Sequence, residues 1–231
     1  MNYLNNKEIY LEDDRKVLEV DILSEKYCNF DCVFCPFEQT DNKIDEPKSF
    51  ENTTEALARF RELLDAEQPD LVYLSSKGEA LFNESAGPII DLIKSRGVQV
   101  RLLSNGYLLG KEQYLKVASK CDEVIGEIAA VTEADFHKLQ RPLSFYSLEE
   151  YVTNMIEFNQ QYDGDFILDI TMLKGYNDDQ ESLEKMKDII TSISPASIDI
   201  GNPSAEQSSR QFGLSIERLT EINEYLNKTR L

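Results

Sequence analysis

The chain has 231 residues, 41% of them hydrophobic, and a formal net charge of −19. That length suits one α/β domain with a sizeable core, and no run of 18 apolar residues reads as a membrane span. An isoelectric point near 4.4 argues against nucleic acid as a partner, because a phosphate backbone is bound mainly through Lys and Arg.

The acidity is not a tail, since residues 1–50 already carry six Lys/Arg against twelve Asp/Glu. Most of it reads as a solvated surface. The opening segment MNYLNNKEIYLEDDRK lacks the apolar stretch of a secretory signal. A cytoplasmic protein is therefore expected, in which cysteines stay reduced and clustered thiols point to metal or redox chemistry rather than disulfides.

The first predicted strand is 17–23 (VLEVDIL), followed at once by CNFDCVFC, three cysteines in residues 28–35. A helix over 53–66 presents Leu57, Phe60 and Leu64 on one face. Strand 71–75 runs into SSKGEALFN, then a helix over 85–96. Strand 98–103 ends in SNG, and a helix over 111–119 leads to strand 123–129. The segment EADFHKLQ, containing His137, reads as a solvated helical turn. Ser147-x-x-Glu150 resembles a capping box for a helix over 148–162. Strand 166–173 follows, and Asp178-x-x-Glu181, a variant box, starts a helix over 179–193. Strand 197–201 ends in GNPS. The last helix, 215–228, lines up Ile216, Leu219, Ile222 and Leu226.

Six β/α units in succession imply a parallel sheet wrapped by helices. Six are too few for a closed eight-fold barrel, so the fold expected is a partial (β/α)6 barrel in one domain, 1–231. Chemistry in such folds gathers at the C-terminal strand ends. CNFDCVFC, SSKGEALFN, SNG, LKGYND and GNPS would all open on that rim.

Three thiols spaced by three and two residues let one loop wrap a compact iron–sulfur cluster. A [4Fe–4S] cluster usually takes four thiolates, so three leave one iron open to an outside ligand. The alternatives are a structural zinc using His137, and an electron-transfer loop, which would normally have a fourth thiolate. Cys121, in SKCDEV, reads as a buried core thiol.

Cys28-x3-Cys32-x2-Cys35, with the aromatic Phe34 before the last thiol, resembles the signature of the radical S-adenosylmethionine (radical SAM) superfamily. CNFDCVFCP, LSSKGEALF, LLSNGYLL, DEVIGEIAAVTEADFHKLQRP and MLKGYNDD follow the order of one branch. That branch holds iron–sulfur oxidoreductases related to the wybutosine synthases, and the likeness covers about 17–226. It implies a [4Fe–4S] cluster on Cys28, Cys32 and Cys35, and SAM chelating the open iron. It also implies an oxidoreductase-type enzyme making a 5′-deoxyadenosyl radical that takes hydrogen from a small molecule or a peptide or protein. A reductant such as flavodoxin or ferredoxin would supply the electron.

Gly78-Glu79 resembles the family's loop for the SAM amine, where a glycine admits close approach and a carboxylate suits an ammonium. An ordinary turn is the alternative. Asn105, in SNG, resembles a cofactor-contacting position, and a turn-forming Asn-Gly explains it nearly as well. Phe34, Ser76, Glu127 and Asp169 complete the set expected to face the cofactor. Strand four departs from the family's Ser-Leu-Asp-Ala-like stretch, with Glu127 beside Ile128, Ala129 and Ala130. The family's arginine after strand six is replaced by Asn202, Pro203, Ser204 and Ala205. These departures keep open a non-catalytic metal-binding module on the same barrel. The extra cysteines and basic face of the tRNA-modifying relatives are missing.

Overall fold

A computed structural model describes residues 4–37, 39–41 and 43–228. The six predicted strands form one parallel sheet in chain order: β2 (Arg15–Asp21), β3 (Leu71–Leu74), β4 (Gln99–Ser104), β5 (Glu123–Ile128), β6 (Asp165–Thr171) and β7 (Ser197–Gly201). A seventh strand, β1 (Asn5–Glu12), pairs antiparallel with β2 at the edge. The result is a curled half-barrel.

Helices α1 (Thr53–Glu67), α2 (Ala86–Lys94), α3 (Glu112–Ala118), α5 (Leu148–Gln161) and α6 (Gln180–Ile193) connect the strands, and α8 (Ile216–Asn227) follows the last one. Side-chain alternation on the strands explains how they attach. Phe166, Leu168 and Ile170 on β6 are fully buried with Phe158 and Met186 of the helices, while Ile167, Asp169 and Thr171 between them are only partly buried. One sheet face is thus the core, and the other lines the barrel interior.

The inner face is polar and closed at its floor by ion pairs. Arg101 on β4 donates to both carboxylate oxygens of Glu12 at 3.0 and 2.8 Å and pairs with Glu123 of β5. Arg15 reaches the other oxygen of Glu123 at 2.8 Å.

Several local expectations change. The start of α6 is capped by Asp179, whose carboxylate accepts the Ser182 N–H, and not by Asp178, which accepts the Gly175 N–H. Ser147 caps α5 as expected, but Glu150 receives the Tyr107 hydroxyl instead of reaching back to Ser147. Ile216 is 80% exposed, so the buried stripe of α8 runs through Ile222 and Leu226. EADFHKLQ is not a solvated turn: α4 (Glu133–Asp135) runs into one π-helical turn at Phe136–Gln140, with Phe136, Leu139 and Gln140 buried. A further helix, α7 (Glu206–Phe212), precedes α8. Among the described residues, no helix is long and apolar enough to cross a membrane.

Candidate active site

The cysteine loop leaves β2 and folds over the C-terminal mouth of the half-barrel. Phe30, between the first two thiols, anchors it: the ring is 1% exposed and meets Tyr107, Phe136 and Tyr151 edge-on, with centroids 5.6–6.0 Å apart. Its backbone is then sewn to the π-turn segment, because Asp31 and Val33 N–H groups donate to Gln140 and Leu139 carbonyls. On its other side the Glu79 N–H donates to the Tyr27 carbonyl at 2.8 Å. Here the glycine is obligatory: a Cβ on Gly78 would lie 2.1 Å from the Tyr27 carbonyl oxygen.

Cys28, Cys32 and Cys35 all line one cavity of about 350 Å³ with Ser76, Gly78, Glu79, Asn105, Glu127 and Asp169. The cysteine loop and the ends of four strands far apart in sequence, β3 to β6, thus meet around one space. Phe34 is the exception. It packs with Ala129, Leu139 and Leu173 and faces a smaller adjoining cavity of about 140 Å³, which Cys32, Cys35, Glu127 and Asp169 share.

Donors converge on the sulfurs. The Phe30 N–H and the Asn105 amide approach Cys28 Sγ at 3.4 and 3.7 Å, and the Lys26 ammonium approaches Cys35 Sγ at 3.4 Å. Burial pushes the Cys28 thiol up to about 12 and Cys32 well above its usual range, against the lowering effect of those donors on Cys28 and of Lys26 on Cys32. Without metal, Cys28 and Cys32 hold their protons; a cationic metal would displace them. Among the described residues, no three His, Cys, Asp or Glu side chains close around a point that would suit a single ion. Thiolates that each take a different iron of a cluster need no such convergence. His137 sits beside Glu133 on its own segment, 2.9 Å from it, and lines none of the cavities that the three thiols line. The loop, its N–H donors and the cavity beside it fit an iron–sulfur cluster. Cys121 is 5% exposed in the core, as expected.

Glu79 and Asn105 do work that the sequence does not reveal. Glu79 is 1% exposed. Its carboxylate accepts from Leu81 N–H at 3.1 Å, Ser104 hydroxyl at 3.1 Å and Asn105 N–H at 2.8 Å, tying the loop after β3 to the loop after β4. Burial still lifts its pKa to about 7. Asn105 then passes the connection on: its amide donates to Asn29 at 2.6 Å beside Cys28, and its oxygen accepts the Tyr107 N–H. Ser76 accepts the Ile22 N–H at 3.1 Å, fixing the end of β2.

Glu127 and Asp169 are different. They are direct neighbours in the β5–β6 register and face the cavity. Burial, and then the charge on Asp169, push Glu127 up to about 8; burial, and then Asp199, push Asp169 up to about 6.

Known proteins place this geometry. The chain is 22% identical over 211 residues to a protein named GTPase Obg from Brachyspira hyodysenteriae, covering 90% of this chain. It spans about a third (31%) of that relative's length. It is also 22% identical over 224 residues to UPF0026 protein MJ1312 from Methanocaldococcus jannaschii, covering 94% of this chain and 70% of that protein. A solved structure of TYW1 with a lysine-pyruvate adduct bound shares the fold with a TM-score of 0.70 at 16% identity, over 92% of this chain and 73% of that one. Residues 25–186, which hold the cysteine loop and strands β3 to β6, match the family model of the radical SAM superfamily. The chain belongs to the radical SAM superfamily.

Proposed function

We propose that this chain is a radical SAM enzyme that removes a hydrogen atom from a small molecule or a peptide or protein substrate. The observation that carries the reading is the meeting of Cys28, Cys32 and Cys35 with the ends of β3, β4, β5 and β6 around one cavity. The three thiolates would hold a [4Fe–4S] cluster, leaving one iron for the amino and carboxylate groups of SAM. When bound, cluster and SAM supply a one-electron cleavage of the sulfonium bond, giving methionine and a 5′-deoxyadenosyl radical that becomes 5′-deoxyadenosine on taking hydrogen.

The protein's own contribution is positional. Gly78 lets the β3 loop lie against Tyr27, next to Cys28. Glu79 and Asn105 lock that loop, the β4 loop and the cysteine loop into one unit. Ser76, Gly78, Glu79 and Asn105 would form the SAM wall of the cavity, with Phe34 supporting the loop from the adjoining side. Lys26 beside Cys35 favours added negative charge at the cluster, and flavodoxin or ferredoxin would be a suitable one-electron donor. The deep carboxyl-lined end remains for substrate.

The test is anaerobic reconstitution followed by dithionite and SAM. The reading expects about four irons per chain and one methionine formed with each 5′-deoxyadenosine. A non-catalytic iron–sulfur or zinc-binding module on the same barrel need not bind SAM. Cluster-loaded protein that binds no SAM and forms no 5′-deoxyadenosine would overturn the proposal.

A further inference from the structure

The interior charges of the half-barrel fall into two groups. At the floor, Arg15 and Arg101 are matched by Glu12 and Glu123 in a closed set of ion pairs. Above it, Glu127 and Asp169 stand directly opposite each other on adjacent strands. Among the described residues neither carboxylate has a hydrogen-bond or ion-pair partner. Like charges so placed are destabilising, and an enclosed carboxylate without a partner is costly. Glu127 is half-buried, and its side chain lines both cavities. Tyr73 of β3 lines the same main cavity and offers an aromatic wall, and Arg101, near that ring, is already committed to the floor.

We infer that Glu127 and Asp169 form the recognition site for a substrate that carries an organic ammonium group. An ammonium entering between them would neutralise the repulsion and donate to both carboxylates, with the Tyr73 ring beside it. The lysines of the cavity stand on the β1–β3 side, where Lys7 pairs with Glu19 at 2.6 Å and Lys77 with Asp21 at 3.4 Å. Among the described residues no cation of the cavity lining stands on the β5–β6 side, and a substrate would orient with its cation toward those strands. This inference rests on the proposed function, since it identifies the substrate class of the same cavity.

The experiment measures binding of pentylammonium, pentanol and pentanoate to the cluster-loaded protein by ligand-observed NMR at about 0.3 M salt, where exposed charges are largely screened. SAM binding is measured on the same samples. Pentylammonium is expected to bind saturably and its two isosteres are not. Glu127→Gln combined with Asp169→Asn is expected to weaken pentylammonium on the order of tenfold or more and SAM by much less; a parallel loss of SAM would assign the pair to the cofactor and overturn the inference. Thermal unfolding of the variant confirms that it is folded, and the single variants serve if the pair is not. Binding of pentylammonium that is absent, unchanged in the variants or matched by pentanoate would overturn the inference. Failure of SAM to bind wild-type protein would instead count against the proposed function, and pentylammonium binding would still read out the carboxylate pair.

Discussion

Gly78→Ala tests how the cysteine loop is held. The added Cβ would meet the Tyr27 carbonyl oxygen at 2.1 Å, its carbon at 2.8 Å and its nitrogen at 3.0 Å, all backbone atoms with no rotamer to escape into. The two loops must part by roughly 1 Å or more before the contact becomes ordinary. That movement breaks the 2.8 Å bond from Glu79 N–H to Tyr27 and pulls on Cys28, the next residue. Overpacking costs about 1–3 kcal/mol and the lost hydrogen bond about 1 kcal/mol. A loss of about 2–4 kcal/mol is expected, equivalent to a fall in melting temperature of roughly 5–15 °C for a chain of this size. Iron retention should fall with it. The control is Gly87→Ala on α2, where the nearest atom would be Lys120 Nζ at 3.7 Å; an alanine inside a helix should be neutral or stabilise by about 0.5–1 kcal/mol. Denaturant unfolding and iron analysis of both variants decide the matter. A Gly78→Ala protein as stable as wild type and fully loaded would refute the close-approach argument.

Cys32→Ala should abolish iron binding, whereas Cys121→Ala should keep the full iron content at a cost of about 1 kcal/mol for the small core deletion; loss of iron from the second variant would mean the ligands are misassigned. Arg101→Met should destabilise the fold by about 1–3 kcal/mol at neutral pH, because Glu12 and Glu123 would then have only Arg15 to share. The carboxyl pair gives a pH signature. Glu127 is raised from 4.5 to about 8 and Asp169 from 3.8 to about 6, so between those limits the folded state holds more protons than the unfolded one. Their contribution to stability therefore falls as pH rises from about 4 to 8. Urea unfolding of the unliganded protein at pH 5 and pH 8 should show that decline, and Glu127→Gln with Asp169→Asn should flatten it; an unchanged slope in the variant would refute the assignment.

The parallel strands and main helices were legible because their apolar spacing is imposed by one shared core. The seventh strand was not. On β1, Ile9 and Leu11 point outward, 36% and 75% exposed, while Glu12 points in to meet Arg101, so its pattern inverts the usual rule. Helix α7 hid for a similar reason, since Ser208 alone is buried within EQSSRQF. At the site, the three thiols announced themselves by spacing. The role of Glu79 did not, because its partners Ser104 and Asn105 lie about 25 residues away and only the sheet order joins them. The π turn at Phe136–Gln140 was misread from its polar letters; its backbone carbonyls, which hold Asp31 and Val33, leave no mark in a sequence.

On the proposed function, three thiolates leave one iron free for SAM, and electron paramagnetic resonance of reduced, air-free protein titrated with SAM reads this out. A [4Fe–4S]⁺ signal whose g values shift on SAM addition is the predicted result. An iron signal indifferent to SAM, or a zinc-loaded protein with no signal at all, would contradict it.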